Sequence, residues 1–323
     1  MAKGRDRHHK HPGHSKTKGP TQRPPTVEYL LEQGTLQDMR AAKDRTAALL
    51  KYNWEYYSEL ALQRSQIQDE LTKALIQPCI SNYRFDKWQR AVKWKYGLHP
   101  LSTLGSCTYI GGRFNTGSDV NSEVPSFPAL YLACDKDTAL QETLGQMDVN
   151  GCGLTPRELA LTNPQSEVIV SVSGVLEKVF DLRTAGSLKM FTALIKEFQL
   201  SNALKESAKF LGMSKPDVIT QPNQLLETLL AGDWRVPPSM YDVPANPQIF
   251  GYLIYQAGIE GILYPSKLTS KDCLVVFPRN FAASSSNITF DDEAPHSKVP
   301  KRIDCTNWRV CELSARELID DSA

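Results

Sequence analysis

The amino-acid pattern of one long stretch of this chain strongly favours an α-helix. Residues from Thr35 to Gln77 include neither proline nor glycine, and Leu, Met, Trp and Tyr recur among them at intervals of three and four residues. That spacing places apolar side chains on one face of an α-helix. Thr35, with Asp38 three residues later, is suited to cap the first turn, and Pro78 ends the pattern. The sequence therefore predicts one or two long helices here.

The predicted helical region has a broad apolar face. Its members are Leu49, Leu50, Trp54, Tyr57, Leu60 and Ala61. An exposed apolar surface of that size would promote aggregation. We therefore expect the face to pack against the main domain or against a second copy of the chain, which would make the chain a homo-oligomer.

The first 25 residues have a different composition from the rest. They contain seven Lys or Arg and the single acid Asp6, together with four of the six histidines. Because it has no apolar periodicity, such a segment cannot bury enough apolar surface to offset the entropy lost on ordering. We therefore expect a disordered basic tail. The tail either binds nucleic acid weakly or only aids solubility.

Beyond Pro78 the pattern changes to short strands and short helices in irregular order, which is typical of an α+β domain and not of a regular βαβ repeat. The predicted strands are Ala129–Ala133, Glu167–Val172, Lys178–Leu182, Gly261–Tyr264, Cys273–Phe277, Ile288–Asp291 and Trp308–Leu313. The predicted helices are Thr138–Met147, Leu188–Leu200, Ser201–Leu211, Gln224–Leu230 and Pro247–Ala257.

Composition argues against several classes of protein. The seven cysteines are scattered and odd in number, so neither a zinc site nor a disulfide framework is expected, and no metal is predicted. Outside the tail only His99 and His296 remain, which disfavours a hydrolase built on a Ser/His/Asp or Cys/His set. No apolar run approaches the roughly 20 residues that span a bilayer, and the N-terminus lacks the features of a signal peptide. We expect a cytoplasmic protein without a membrane partner.

Three short blocks carry the functional prediction. The first is Gly111–Asn115, with the sequence GGRFN, and the second is Leu130–Ala133, which leads to Glu142. The third is Gly261–Ser266, with the sequence GILYPS, which is followed by Leu274–Phe277. In this order and spacing the blocks resemble the RES domain family, over about residues 80 to 285.

The resemblance implies a fold, an activity and a set of site residues. The fold of that family is similar to ADP-ribosyltransferase toxins, and its activities are NAD degradation, including phosphorolysis, and ADP-ribose transfer. Four residues of this chain match the family's central positions: Arg113, Tyr131, Glu142 and Ser266. The family also has an earlier arginine, for which Arg90 and Arg84 are the candidates. Family members are commonly toxins paired with an antitoxin protein, so an antitoxin partner is implied.

These residue types suit the chemistry of NAD cleavage. Breaking the bond to nicotinamide builds positive charge on the ribose, which the Glu142 carboxylate can stabilise. Arg113 offers a planar, permanently charged fork to the pyrophosphate. Tyr131 can stack on the nicotinamide ring, and Ser266 can hydrogen-bond ribose or phosphate.

Each residue also has a plain structural interpretation. Gly111 and Gly112 could form an ordinary hairpin turn with Arg113 in solvent, Tyr131 could belong to the core, and Ser266 could be a turn residue. On the predicted helix, a buried stripe of Leu140, Leu144 and Met147 would place Glu142 on the opposite side.

The sequence therefore predicts an α+β protein with an ADP-ribosyltransferase-like mixed sheet and an N-terminal helical extension. The expected segments are a tail at residues 1–25, the extension at 26–78, and a RES-like, NAD-binding catalytic domain at 79–323. The expected activity is cleavage of NAD, as substrate, with phosphate or water as acceptor. The alternatives are ADP-ribose transfer to a protein target and a non-catalytic binding module.

Overall fold

The computed structural model describes residues 36–121, 124–144 and 167–320. The chain divides into two compact units, Met1–Thr46 and Ala47–Ala323. The described helices are α1 (Leu36–Gln66), α2 (Gln68–Ile76), α3 (Lys136–Leu144), α4 (Lys189–Ile195), α5 (Asn202–Phe210), α6 (Pro222–Leu229), α7 (Val236–Met240), α8 (Asn246–Gln256) and α9 (Ala315–Asp320). The described strands are β1 (Ile80–Lys93), β2 (Gly111–Gly112), β3 (Asn115–Thr116), β4 (Leu130–Ala133), β5 (Glu167–Asp181), β6 (Gly261–Pro265), β7 (Asp272–Val276), β8 (Asn287–Phe290) and β9 (Arg302–Ile303).

Seven of these strands form one mixed sheet in the order β1, β4, β7, β6, β5, β8, β9. The pairing of β5 with β6 is parallel, and the other pairings in this sheet are antiparallel. Strand β1 also pairs with β5 along most of its length, so β1, β4, β7, β6 and β5 form a closed circuit. The prediction of an α+β fold with a mixed sheet and an N-terminal helical segment is confirmed.

The central strands alternate strictly between two hydrophobic cores, as a strand period of two requires. Leu130 and Leu132 of β4 enter one core with Leu263 of β6 and Leu274 of β7. The residues between them face the other core, which is covered by α2, α6 and α8: Tyr131, Ala133, Ile262, Tyr264, Cys273 and Val275. This second face carries Tyr131, so the helices on it form the surroundings of the candidate site.

Helix α1 packs its apolar face, from Ala48 onward, against α5. Tyr52 is buried against Leu204 and Ala208, and Tyr56 and Leu60 pack alongside. The predicted face was therefore correct at Leu49 and Leu60 but displaced in part, because Trp54 and Tyr57 are not among the residues of this cluster and pair edge-to-face with each other. The extension thus buries apolar area against its own chain.

The strand prediction differs from the structure at several places. Strand β1 was not predicted, because its exposed face is polar and a bulge between Phe85 and Trp88 interrupts its alternation. The two strands predicted within 167–182 are one strand, β5, whose interior Gly174 leaves room for the Phe85 ring. The strand predicted at Trp308–Leu313 was wrong, since Trp308 and Cys311 are buried three residues apart on a 3₁₀ helix.

Two predicted helices are shorter or end outside the described residues. The helix predicted at Leu188–Leu200 ends at Ile195, and Met147 of the helix that contains Glu142 lies outside the described residues. In the part of the chain that the structure describes, no helix combines the length and hydrophobicity needed to cross a membrane.

Candidate active site

The Gly111–Asn115 block is a tight hairpin, with β2 paired to β3 and Arg113 and Phe114 at its tip. Gly111 adopts a φ of +83°, a conformation that side chains other than glycine rarely tolerate. A Cβ on Gly112 would collide with the Tyr131 hydroxyl. The two glycines therefore allow the tip to turn sharply while its backbone lies directly against Tyr131.

Tyr131 holds this hairpin through its hydroxyl group. The hydroxyl donates to Asn115 Oδ1 at 2.8 Å and accepts the Phe114 N–H at 3.0 Å. Burial raises the pKa of Tyr131 well above its usual value, so the phenol is neutral at physiological pH. The Tyr131 hydroxyl is thus already engaged within the protein, and the residue as a whole is only partly exposed.

Helix α8 fixes the hairpin from the other side. The buried Gln248 amide donates to the carbonyls of Ile110 at 2.7 Å, Gly112 at 3.1 Å and Asn115 at 3.2 Å. A Cβ on Gly251 would collide with the Phe114 backbone, so this glycine permits the close approach. Neither α8 residue was predicted to have a role, because nothing in the local sequence pattern marks them.

Arg113 leaves the hairpin tip and contacts the end of α6. Its Nη1 donates to Ala231 O at 2.7 Å and to Leu229 O at 3.4 Å. Burial lowers the pKa of Arg113, while the nearby carboxylate of Glu142 acts in the opposite direction. Both bonds use Nη1, so among the described residues Nε and Nη2 have no hydrogen-bond partner and are available to an anion.

A second arginine, Arg235, lies at the same place and was not predicted as a site residue. Its guanidinium carbon lies 4.6 Å from the ring centroid of Trp234, and that of Arg113 lies 5.8 Å from a ring centroid of the same Trp234. The charge of Arg235 lowers the pKa of both Arg113 and Tyr131, which places it within electrostatic range of both. Arg235 stands in a proline-rich stretch, residues 234–247, whose sequence does not distinguish a loop over a pocket from plain surface.

Glu142 and Ser266 are in direct contact. Ser266 Oγ donates to Glu142 Oε1 at 2.5 Å and accepts the backbone N–H groups of Leu268 and Thr269 at 3.1 and 3.2 Å. Because those two N–H groups occupy the oxygen's acceptor side, the single hydroxyl proton points to the carboxylate. Ser266 is a turn residue, as its plain interpretation held, and it also positions Glu142.

Helix α3 and the residue before it make two further contacts with the loop that follows Pro265. Thr138 Oγ1 lies 3.1 Å from Thr269 Oγ1, and Asp135 forms an ion pair with Lys271 at 2.8 Å. Thr138 is buried and Glu142 half-buried, one helical turn apart, whereas Leu140 is also only half-buried. The interpretation that put Glu142 on the side of α3 away from the domain was therefore wrong, because polar bonds decide which face docks.

Tyr264 connects the two halves of the site. It lies on β6, directly before Pro265 and two residues before Ser266, and its ring packs edge-to-face on Phe114 with ring centroids 4.9 Å apart. Burial raises the pKa of Tyr264, and the charge of Glu142 adds to this. The structure thus brings Arg113, Tyr131, Glu142 and Ser266 together around Tyr264.

Arg90 lies behind this group. It is buried, and its guanidinium donates to Pro100 O and Ser102 O at 2.8 Å and to Tyr131 O at 3.3 Å. Burial lowers the pKa of Arg90 to about 10, which still leaves it charged at pH 7. Arg84, the other candidate, is exposed on β1. Arg90 therefore supports the backbone of Tyr131.

The arrangement combines a carboxylate, two guanidinium groups and a partly exposed tyrosine. Among the described residues, no group of three or more His, Cys, Asp or Glu side chains could hold a metal ion. The three partly exposed members Arg113, Tyr131 and Glu142 can contact a ligand directly. Such a set can bind an anion and stabilise a neighbouring positive charge.

Comparisons with known proteins identify one family. A model described as the RES domain matches residues 87–297, a span that includes Arg90, Arg113, Tyr131, Glu142 and Ser266. No curated protein matches the chain. A solved structure from the M. tuberculosis MbcT-MbcA toxin-antitoxin complex is similar at 16% sequence identity and a TM-score of 0.38, covering 64% of this chain and 81% of that chain.

Proposed function

Since this chain belongs to the RES domain family, we propose that it is a toxin-like enzyme that cleaves NAD between nicotinamide and ribose. The observation that carries the proposal is the Glu142 carboxylate, which Ser266 fixes at 2.5 Å and which lies within electrostatic range of Arg113. A fixed carboxylate with a guanidinium group in its vicinity matches a substrate with a cationic reacting end and an anionic middle. NAD has both.

Glu142 acts on the reacting end. As the bond between ribose C1 and the nicotinamide nitrogen breaks, its electron pair stays on the nitrogen and neutralises the pyridinium ring. The ribose then carries the positive charge, and a carboxylate already in place stabilises it without reorganising. Ser266 keeps one oxygen of Glu142 in place, which leaves the other oxygen for the substrate.

Arg113 and Arg235 bind the pyrophosphate. Two guanidinium groups against the same Trp234 ring provide two positive charges for two phosphate groups. The ring of Tyr131 stacks on the nicotinamide, and Arg90 contributes by holding the Tyr131 backbone. Arg90 is therefore a positioning residue in this proposal, and Arg235 replaces it as the second cationic contact.

The acceptor is phosphate or water. An acceptor oxygen forms a bond to ribose C1 after nicotinamide leaves, giving ADP-ribose 1-phosphate with phosphate or ADP-ribose with water. Control by a separate antitoxin protein, which the family resemblance implies, and action in the cytoplasm, which is expected from the sequence, belong to the same proposal.

The test is direct measurement of products from purified protein. NAD is incubated with the full chain, with and without inorganic phosphate, and nicotinamide, ADP-ribose and its 1-phosphate are separated by chromatography. Release of nicotinamide supports the proposal, and the second product identifies the acceptor. Nicotinamide release only in the presence of a target protein, with ADP-ribose attached to that protein, would show transfer instead.

If the chain is a non-catalytic binding module, the incubation with NAD should give a different result. It would release no nicotinamide, and its nucleic-acid affinity would fall steeply with salt and be lost on deleting residues 1–25. That outcome would contradict the enzyme proposal.

A further inference from the structure

Arg183 binds two carboxylates at one end of the seven-stranded sheet. Its Nε and Nη2 donate to the two carboxylate oxygens of Asp181 at 2.9 Å each, and its Nη1 donates to Asp272 at 3.1 Å. The backbone N–H of Arg183 adds a hydrogen bond to Asp181 Oδ1 at 3.0 Å. Contact with both oxygens of one carboxylate is the geometry that a guanidinium fork favours. The NAD chemistry proposed above gives this bridge no role.

The bridge spans the end of β6. Asp181 is the last residue of β5 and Asp272 the first of β7, and β6 lies between these two strands in the sheet. Asp181 is paired with Leu263 of β6, and Asp272 with Pro265. A strand period of two puts these positions on the face of the sheet opposite to Tyr264. Arg183 therefore supports the end of β6 from behind.

Asp272 directly follows the loop of residues 266–271, which contains Ser266. The backbone N–H of Ser266 donates to Lys271 O at 2.7 Å and closes this loop at its base. Within the loop, Ser270 adopts a φ of +60°, which is unfavourable for a residue with a side chain. Contacts at the ends of the loop must offset this cost. The bridge from Arg183 to Asp272 is one of them.

The same end of the loop also holds the start of α3. Asp272 O accepts the backbone N–H of Cys134 at 3.0 Å, and Lys271 forms its ion pair with Asp135 at 2.8 Å. Asp135 Oδ1 in turn accepts the backbone N–H of Thr138 in the first turn of α3, at 2.9 Å. Residues 271 and 272 therefore contact both the loop and the helix that together form the candidate site.

From these contacts we propose that Arg183 is a positioning residue for the hydrogen bond between Ser266 and Glu142; its effect on catalysis rests on the proposed function. Arg183 fixes Asp272, from which the chain leads back into the Ser266 loop and is bonded to the segment that starts α3. It acts through the backbone, since its hydrogen bonds go to Asp181 and Asp272. Exposed ion pairs usually contribute little, but a two-oxygen contact joined to a second carboxylate is among the geometries that do contribute.

Hydrogen exchange tests the positioning without NAD. The backbone N–H groups of Leu268 and Thr269 donate to Ser266 Oγ, so their exchange reports how firmly the loop is held. In the full chain, Arg183→Gln should speed this exchange about fivefold or more, corresponding to roughly 1 kcal/mol. Arg302→Gln breaks another exposed arginine–aspartate pair and is the matched control, with exchange expected at the wild-type rate. NMR spectroscopy measures both variants. Unchanged exchange in Arg183→Gln would overturn the proposal, whether or not the chain cleaves NAD.

Steady-state kinetics test the consequence for turnover. Arg183→Gln should lower kcat for nicotinamide release about fivefold or more and change KM for NAD less than about twofold, because the cations assigned to the pyrophosphate are untouched. In a Ser266→Ala background the same substitution should lower kcat little, since the loop acts through that hydroxyl. Arg302→Gln should keep the wild-type kcat. An equal loss in both backgrounds would overturn the proposal. If the wild type releases no nicotinamide, the proposed function fails, and the exchange measurement still decides the role of Arg183.

A second variant separates positioning from stability. Asp272→Asn removes the charge at the end of the loop, keeps the side chain's size, and should produce the same changes in exchange and kcat. Thermal melts verify that each variant is folded, and Asp272→Asn replaces Arg183→Gln if the latter is not. A folded variant that melts at a lower temperature but keeps the wild-type exchange at Leu268 and Thr269 would show a purely structural role and overturn the proposal.

Discussion

Ser266 Oγ donates a hydrogen bond of 2.5 Å to Glu142 Oε1, joining a β-strand end to a helix 124 residues away in sequence. Ser266 Oγ also accepts hydrogen bonds from two backbone N–H groups, and these fix the direction of its hydroxyl proton. Glu142 is therefore held as a carboxylate acceptor in one orientation. This bond is the structural basis for assigning Glu142 a chemical role.

Ser266→Ala should reduce turnover more than substrate binding. The loss of one hydrogen bond to a charged group costs about 1.5 to 3 kcal/mol, and if that cost appears in the transition state, kcat falls about 10- to 150-fold. KM for NAD should change much less. The measurement is steady-state kinetics of nicotinamide release.

The conservative variant and a double variant separate positioning from stability. Ser266→Thr retains a hydroxyl and should recover much of the rate. Adding Ser266→Ala to Glu142→Gln should cause little further loss, because Ser266 acts by positioning the charge of Glu142 and that charge is already absent in Glu142→Gln. Additive losses would mean that Ser266 acts independently of Glu142.

Arg113→Lys should weaken NAD binding, because an ammonium group cannot reproduce the bidentate fork. We expect the dissociation constant to rise about tenfold or more, corresponding to roughly 1.4 kcal/mol, with a smaller change in kcat. Arg235→Gln should weaken binding in the same direction. Arg84→Gln, at an exposed position on β1, is the matched control and should bind NAD normally.

Arg90→Lys should destabilise the fold. A lysine cannot reach all three carbonyls that Arg90 contacts, and each buried group left unpaired costs about 1 to 3 kcal/mol. The free energy of unfolding should fall by about 2 to 4 kcal/mol, whereas Arg84→Lys should change it by less than about 0.5 kcal/mol. Urea unfolding of both variants measures this. Equal stability would contradict the structural role of Arg90.

The sequence predicted well the elements that form the core on the side of the sheet carrying Tyr131, because the patterns of these elements are local. Strand β4, strand β6 and helix α8 each show an apolar run or a helical period within a few residues. Strand β1 has no such pattern, since its partners β4 and β5 follow it by many residues and one of its faces is polar. Long-range pairing of this kind leaves little local signal.

The site residues could be predicted from the sequence only where the residue type itself indicates a chemical role. Arg113 and Glu142 stand in recognisable blocks, but the contact of Ser266 with Glu142 depends on how α3 docks on the loop after β6. Apolar spacing on α3 indicated the wrong face, because hydrogen bonds and an ion pair decide its docking. Arg235 follows a tryptophan in a proline-rich segment, and only the fold brings it to Arg113.

The proposed division into residues 1–25, 26–78 and 79–323 predicts unequal effects of truncation. A chain starting at residue 26 should keep its stability and NAD consumption. A chain starting at Pro78 loses Tyr52 and Leu60, exposing Leu204 and Ala208, so it should aggregate or melt at lower temperature. Size-exclusion chromatography and thermal melts compare the two. A monomeric chain from Pro78 with unchanged melting temperature would refute the packing role of the extension.

The most direct test of the enzyme assignment is the rate of nicotinamide release by Glu142→Gln. The substitution keeps the size and an acceptor oxygen but removes the negative charge, which matters most as the ribose becomes cationic. We predict that kcat falls about 10²- to 10³-fold, while NAD binding and the melting temperature remain close to those of the wild type. Turnover near the wild-type rate in a folded Glu142→Gln protein would show that the carboxylate is not part of the chemistry.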